Sequence, residues 1–259
     1  MLISIIILGI IQGLTEFLPI SSSGHLVIGK ALLGIRQPDA TMEIFLHLGT
    51  LIAIIYYYRG RIWIMLDCII KRNFNTSQGI ESIFILWASI PAAVVGILLG
   101  EIIESLFSSP SIATIMLIFT GLLLISTHWI RQQRNNSLGW LNTFAIGIAQ
   151  AIAILPGISR SGITITTALW SGIGYEKSAE FSFLLAIPAI SGAIMLKIIH
   201  IIKSGICPSL SLLVGVIVSA IVGYISLIIL IPILKRGKFW MFGIYCIIIG
   251  ITGTIILTN

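Results

Sequence analysis

The chain has 259 residues, 57% of them hydrophobic and only 9% charged, with a mean hydropathy of +1.10, far from the roughly 25% charge of a soluble domain. This is the composition of an integral membrane protein, and its long apolar runs without alternation exclude an outer-membrane barrel, whose strands of about ten residues alternate lipid-facing and lumen-facing positions. Fifteen Lys+Arg against nine Asp+Glu leave a net charge of +6; the excess falls in short loops, which argues for membrane orientation and against a nucleic-acid partner. Cys68, Cys207 and Cys246 form no CxxC pair and have no histidine at metal spacing, so neither a disulfide framework nor a zinc site is expected.

In chain order, residues 2–33 are the first apolar segment, but Pro19 and the run Ser21, Ser22, Ser23 interrupt it. Proline ends a helix, and the backbone groups freed at such a break need partners that lipid does not offer. The segment therefore reads as a re-entrant pair of half-helices. No basic residue precedes its apolar run, so it is expected to be retained and not removed as a signal peptide. Spans of about 20 residues are then predicted at 42–59, 82–104 and 111–130. Residues 140–173 are interrupted in the same way, at Pro156, Gly157, Ser159 and Ser161, and predict a second re-entrant pair. Three more spans follow at 177–200, 209–234 and 239–257. The expected fold is an all-α membrane protein, one membrane domain over 1–259, with six transmembrane helices and two re-entrant helix pairs.

The two interrupted segments repeat one another. Shifting the chain by 138 positions sets Gly147 on Gly9, Gln150 on Gln12, Ile158 on Ile20, Ser159 on Ser21, Ser161 on Ser23 and Gly162 on Gly24. Each half, 1–134 and 135–259, then holds one re-entrant pair and three spans. An odd number of spans inverts the second half relative to the first, an arrangement that sets a binding site near mid-membrane between the halves. One side collects Arg59, Arg61, Lys71, Arg72, Arg131, Arg134, Lys177, Lys235, Arg236 and Lys238; the other has Lys30, Arg36, Lys197 and Lys203 with Asp39, Glu43, Glu101 and Glu104. The first side is read as cytoplasmic. Both termini then face outward, and the broken tips meet in the interior.

Residues that the repeat does not share are the functional candidates, because shared ones are explained by the scaffold. Glu16 faces Ile154, His25 faces Ile163, and Arg160 faces Ser22; an ionisable residue at membrane depth is expensive to keep and is functional by default. Gln12 and Glu16 are four apart and share a helix face. After Pro19, the serines offer N-caps to a second half-helix whose first N–H groups lack partners, and the positive end of its dipole attracts anions. Ser21, Ser23, Ser159, Ser161 and Gly162 accordingly read as a phosphate-binding pair of tips. Arg160 adds a planar fork of donors suited to phosphate oxygens. His47, His128 and His200 read as ordinary histidines, and Glu176, Lys177 and Glu180 as an interfacial helix start.

The stretches QGLTEFLPISSSGHL and LPGISRSGITI, with FLHLGTLIA at 45–53 and EFSFLLAIP at 180–188, resemble the undecaprenyl-diphosphate phosphatase family of bacterial inner membranes over nearly the whole chain. The resemblance implies hydrolysis of the C55 isoprenyl diphosphate to the monophosphate carrier lipid of cell-wall synthesis, with bacitracin resistance when the enzyme is abundant. Its motif residues fall on Gln12, Glu16, Ser22, His25, Ser159, Arg160 and Ser161. It also implies a divalent cation, Mg²⁺ or Ca²⁺, held by Gln12 and Glu16; many members carry Glu where Gln12 stands, and an amide oxygen still ligates but brings no charge. For the nucleophile, Ser22 activated by His25, direct attack by His25 and a His25-activated water all remain open. The expected partners are the isoprenyl diphosphate lipid, the bilayer and a second copy in a homodimer, with the site opening to the periplasmic side. The rival from another class is a secondary transporter or translocase of an anionic isoprenoid lipid, since inverted repeats with broken helices are transporter architecture.

Overall fold

The computed structural model describes residues 2–35, 40–107, 109–130, 137–203, 209–235 and 237–258. Arg36, Pro38, Asp39, Arg131, Arg134, Asn135, Cys207 and Arg236, and the side chains of Glu104, Lys197, His200, Lys203 and Lys235, lie outside the described residues. Among the described residues the elements are twelve α-helices and one 3₁₀ turn, Ser126–Trp129: α1 Leu2–Phe17, α2 Ser22–Leu32, α3 Ala40–Tyr57, α4 Arg59–Ile70, α5 Ser77–Leu98, α6 Gly100–Phe107, α7 Pro110–Ile125, α8 Trp140–Ile152, α9 Arg160–Trp170, α10 Tyr175–Lys203, α11 Leu210–Lys235 and α12 Met241–Thr258.

Among the described residues, four helices are long and apolar enough to cross a membrane: Ser77–Leu98, Pro110–Trp129 (α7 with the 3₁₀ turn that follows it), Tyr175–Leu196 and Leu210–Leu234. The other two expected spans form α3 and α12, each of 18 residues, about 27 Å at 1.5 Å per residue. Both interrupted segments are broken where proline and serine said they should be. Residues 2–33 become α1 and α2, and residues 140–173 become α8 and α9. One helix, α4, had no counterpart among the expected spans, and a second, α6, takes the last residues of the span expected at 82–104, which breaks after Leu98. α4 lies in the basic stretch read as a loop; its one strongly charged turn hid an apolar run from Ile62 to Leu66 that packs back on the bundle through Met65. α6 is a short helix continuing the end of α5.

The packing of the halves is reciprocal. α1 lies on α11 and α3 lies on α11, while α8 lies on α5 and α10 lies on α5; α3 meets α10, and α7 meets α12. Glycine makes these approaches close: a Cβ on Gly49 would come within 2.3 Å of the Val216 carbonyl oxygen, and one on Gly147 within 2.5 Å of the Ala88 carbonyl oxygen. Small residues at helix contacts are how bundles in lipid gain van der Waals contact, since burial against lipid supplies no hydrophobic drive. The largest core cluster surrounds Phe17, Ile54, Leu117, Ile165, Phe183 and Leu227, none more than partly accessible, and it seats the ends of both broken segments.

At one end of the bundle, Glu81 on α5 is 3% exposed and accepts from both Arg61 on α4 and Lys177 on α10, the latter at 2.7 Å. Glu180 stands 3.1 Å from Arg61 Nε. A buried carboxylate persists only when its charge is met by partners of this kind. The quartet joins three helices, which explains Lys177 and Glu180 as bundle contacts and not as substrate contacts.

Candidate active site at the paired helix tips

Each tip is built the same way. Ser21 Oγ accepts from the Gly24 N–H at 3.2 Å, and Ser159 Oγ accepts from the Gly162 N–H at 3.1 Å, so each serine caps the half-helix that follows it. The tips also touch. Ser161 donates to the Leu18 carbonyl at 3.1 Å, the Gly157 N–H donates to Ser23 Oγ at 3.3 Å, and Thr120 donates to the Gly157 carbonyl at 3.0 Å. Gly157 has φ +92°, and a Cβ there would fall 2.1 Å from the Ala113 carbonyl oxygen, so only glycine fits this turn. The hydroxyls of Ser21, Ser23, Ser159 and Ser161, and the amide of Gly162, are thus spent on capping and on joining the tips. They bring together the residues between them.

At that junction stands Glu16, 6% exposed. Its Oε2 accepts from Ser22 Oγ at 2.6 Å and from Gln12 Nε2 at 2.9 Å, and its Oε1 accepts from Arg160 Nη2 at 2.6 Å. Glu16 belongs to α1, Ser22 to α2 and Arg160 to α9, so one carboxylate gathers both halves of the chain. Two polar atoms here are buried and unpartnered, Gln12 Oε1 and Arg160 Nη1. Unsatisfied buried donors and acceptors are uncommon because they are costly, and a site awaiting a polar ligand is a recognised place to find them.

His47 was missed by the reading of it as an ordinary histidine. Its Nδ1 is 2.7 Å from Gln12 Nε2 and 3.4 Å from Glu16, and Thr50, one turn on, is 3.4 Å from the same amide. The available signal was its place in FLHLGTLIA, one of the four stretches that carry the resemblance; an isolated histidine in an apolar helix offers no spacing cue. His128, by contrast, packs against Trp240 with centroids 4.9 Å apart and stays clear of the tips.

His25 is not on Ser22. Its Nδ1 is 2.8 Å from the Ser21 carbonyl oxygen and its Nε2 is 2.9 Å from the Tyr245 hydroxyl. The expected Ser22 and His25 pair shares a helix start, but the imidazole curls back over its own cap, and the Ser22 hydroxyl turns to Glu16 instead. Beside Tyr245 opens an apolar groove of roughly 630 Å³, whose lining includes Leu14, Leu18, Ile20, Lys238, Met241, Phe242 and Tyr245.

Paired, serine-capped helix tips closing around one carboxylate and one guanidinium inside an apolar bundle define an integral membrane protein with a charged polar site among its helices. The chain belongs to the bacitracin resistance protein BacA family, whose model matches residues 5–252. It is 37% identical over 266 residues to an undecaprenyl-diphosphatase of Desulfatibacillum aliphaticivorans, covering 96% of each chain. It is 40% identical over 255 residues to one of Geobacter metallireducens, covering 94% of each, and 38% identical over 259 residues to one of Korarchaeum cryptofilum, covering 95% of each.

Proposed function

We propose that this protein hydrolyses undecaprenyl diphosphate to undecaprenyl phosphate and inorganic phosphate, as its relatives' names state for them, and so returns carrier lipid to cell-wall synthesis. The observation that carries the reading is the convergence on Glu16: a hydroxyl, a guanidinium and an amide meet one carboxylate between two helix starts. A binding protein for an anion needs the guanidinium and the helix ends. It has no use for a serine hydroxyl aimed 2.6 Å from a carboxylate.

That contact supports the following first step. Glu16 takes the Ser22 proton as Ser22 Oγ attacks the terminal phosphorus; the bond from that phosphorus to the bridging oxygen breaks, and the lipid monophosphate leaves. Glu16 passes that proton to the departing monophosphate; water then attacks the phosphoserine phosphorus, its hydroxyl leaves in inorganic phosphate, and its other proton goes to Ser22 Oγ as that P–O bond breaks, which restores both Ser22 and the Glu16 carboxylate. Arg160 meets charge on the phosphoryl oxygens through Nη1 while Nη2 fixes Glu16. The groove beside the tip takes the isoprenyl chain.

The cation implied by the family finds a partial fit. Gln12 turns its Nε2 donor to the Glu16 carboxylate and leaves Oε1 buried with no partner, so each residue could offer one oxygen to a cation, and no cluster of three His, Cys, Asp or Glu forms a full cage among the described residues. Mg²⁺ suits this arrangement because it is commonly bound through one or two protein oxygens with phosphate oxygens and water completing the shell. Bound there, it would neutralise diphosphate charge.

We infer that the chain sits in the bacterial inner membrane with six spans and two re-entrant pairs, the tips opening to the periplasmic side. The basic residues Arg59, Arg61, Lys71, Arg72, Lys177 and Lys238 support this orientation, and the reciprocal packing of α1 on α11 and α8 on α5 supports the inverted repeat. The deciding experiment is phosphate release from undecaprenyl diphosphate by purified protein in detergent. Turnover with no second compartment establishes hydrolysis, whereas binding without release returns the reading to a translocase.

A further inference from the structure

Among the described residues, a side chain on His25 that neither the sequence motifs nor the family resemblance singled out is Tyr245, on the last helix and far along the chain from the tips. Its hydroxyl is 2.9 Å from His25 Nε2, and the two rings are stacked, with centroids 5.6 Å apart and planes within 3°. The neighbouring Cys246 lies 3.8 Å from the Pro19 carbonyl oxygen, so α12 backs directly on the first tip.

The other ring nitrogen is equally fixed. The Ser21 carbonyl oxygen receives both the His25 backbone N–H, at 3.2 Å, and Nδ1, at 2.8 Å. Ser21 holds φ at +66° to present that oxygen, a conformation that costs a non-glycine residue free energy and persists where surrounding contacts over-determine it. A carbonyl only accepts, so Nδ1 carries a hydrogen. The lone pair of neutral His25 is therefore on Nε2, and its partner is the Tyr245 O–H. Flipping the ring would abandon both bonds.

We propose that Tyr245 is a positioning residue for His25: hydroxyl and ring together hold the imidazole in the Nδ1–H tautomer, with Nε2 turned toward Tyr245, which lines the apolar groove. The role rests on the hydrolase reading. Tyr245 is half on the wall of that groove, beside Met241 and Phe242, so a lipid diphosphate whose chain occupies the groove brings its phosphate oxygens past Nε2. An O–H donor at the reacting centre, such as the water that cleaves the phosphoserine, then replaces the phenol as the partner of the Nε2 lone pair, and no ring rotation is needed. The device also explains why a histidine one turn from Ser22 is turned away from it in the resting protein.

Tyr245→Phe keeps the stacked ring and removes only the hydroxyl. Two readouts test it on the purified full-length protein. Carbethoxylation of His25 by diethyl pyrocarbonate, followed by mass spectrometry of its peptide, should quicken about fivefold, the weight of one neutral hydrogen bond. Phosphate release from undecaprenyl diphosphate should fall about tenfold in kcat, with KM within about twofold, because positioning and not binding is lost. Tyr245→Leu, which also removes the stack, should go further in both. Unchanged His25 labelling in Tyr245→Phe overturns the proposal, as does wild-type kcat in a variant whose labelling has quickened. If the wild-type protein releases no phosphate at all, the hydrolase reading fails, and the labelling result still decides whether Tyr245 holds His25.

Discussion

Arg160→Lys keeps a positive charge at the junction of the tips and removes the fork. In the wild-type protein Nη2 is 2.6 Å from Glu16 Oε1 while Nη1 is buried with no partner, so one guanidinium has a donor for the carboxylate and another in reserve for a phosphoryl oxygen. An ammonium is a compact point charge on a flexible stem; set against Glu16, it does not reach both partners with comparable geometry. The arginine is largely shielded, with 15% of its side chain exposed, so water does little to compensate. Losing one charged donor that acts on the developing transition state costs about 3 kcal/mol, which is roughly a hundredfold in rate. We therefore expect kcat for undecaprenyl diphosphate to fall about a hundredfold. Thermal unfolding should change little, because the lysine still neutralises Glu16, whereas Arg160→Ala should be destabilised by about 3–5 kcal/mol through an uncompensated buried carboxylate. The assay is phosphate release in detergent, paired with a melting curve to exclude misfolding. A folded lysine variant with kcat near that of the wild type would refute the assignment of the guanidinium to phosphate.

Ser22→Ala should abolish turnover while leaving lipid diphosphate binding, and slowing the second step should accumulate an acid-stable phosphoserine; an acid-labile adduct, or retained turnover, would move the attack to His25 or to water. Chelation should stop phosphate release and Mg²⁺ or Ca²⁺ restore it, with Gln12→Glu lowering the cation concentration required, since a second carboxylate replaces a neutral amide oxygen; full activity in excess chelator would remove the metal role from Gln12 and Glu16. Single cysteines introduced at Asn75 and Asn135 should be shielded from an impermeant thiol reagent in intact cells, and one at Pro38 should react, the inverse pattern reversing the orientation read from the loop charges.

The sequence by itself determined the solvent, the breaks and the chemistry on offer. Composition required lipid; Pro19 and Pro156 with their serines fixed where the helices end, because the ring removes a donor and the hydroxyls supply the caps; and the repeat separated Glu16, His25 and Arg160 from the scaffold they interrupt. All of these follow from local rules, since a cap or a break is settled within a few residues. Only the tertiary structure decided partnership. Arg160 meets Glu16 across 144 positions, His25 meets Tyr245 across 220, and Glu81 meets Lys177 across 96, and no spacing along the chain encodes contacts so distant. The same limit hid His47, which joins the site from α3 on a helix whose pattern is otherwise apolar. It also misdirected the pairing of Ser22 with His25: three residues apart they share a helix start, but the Ser21 carbonyl and the Tyr245 hydroxyl outbid Ser22 for the imidazole, and a carboxylate one tip-turn away accepts the Ser22 proton donor instead.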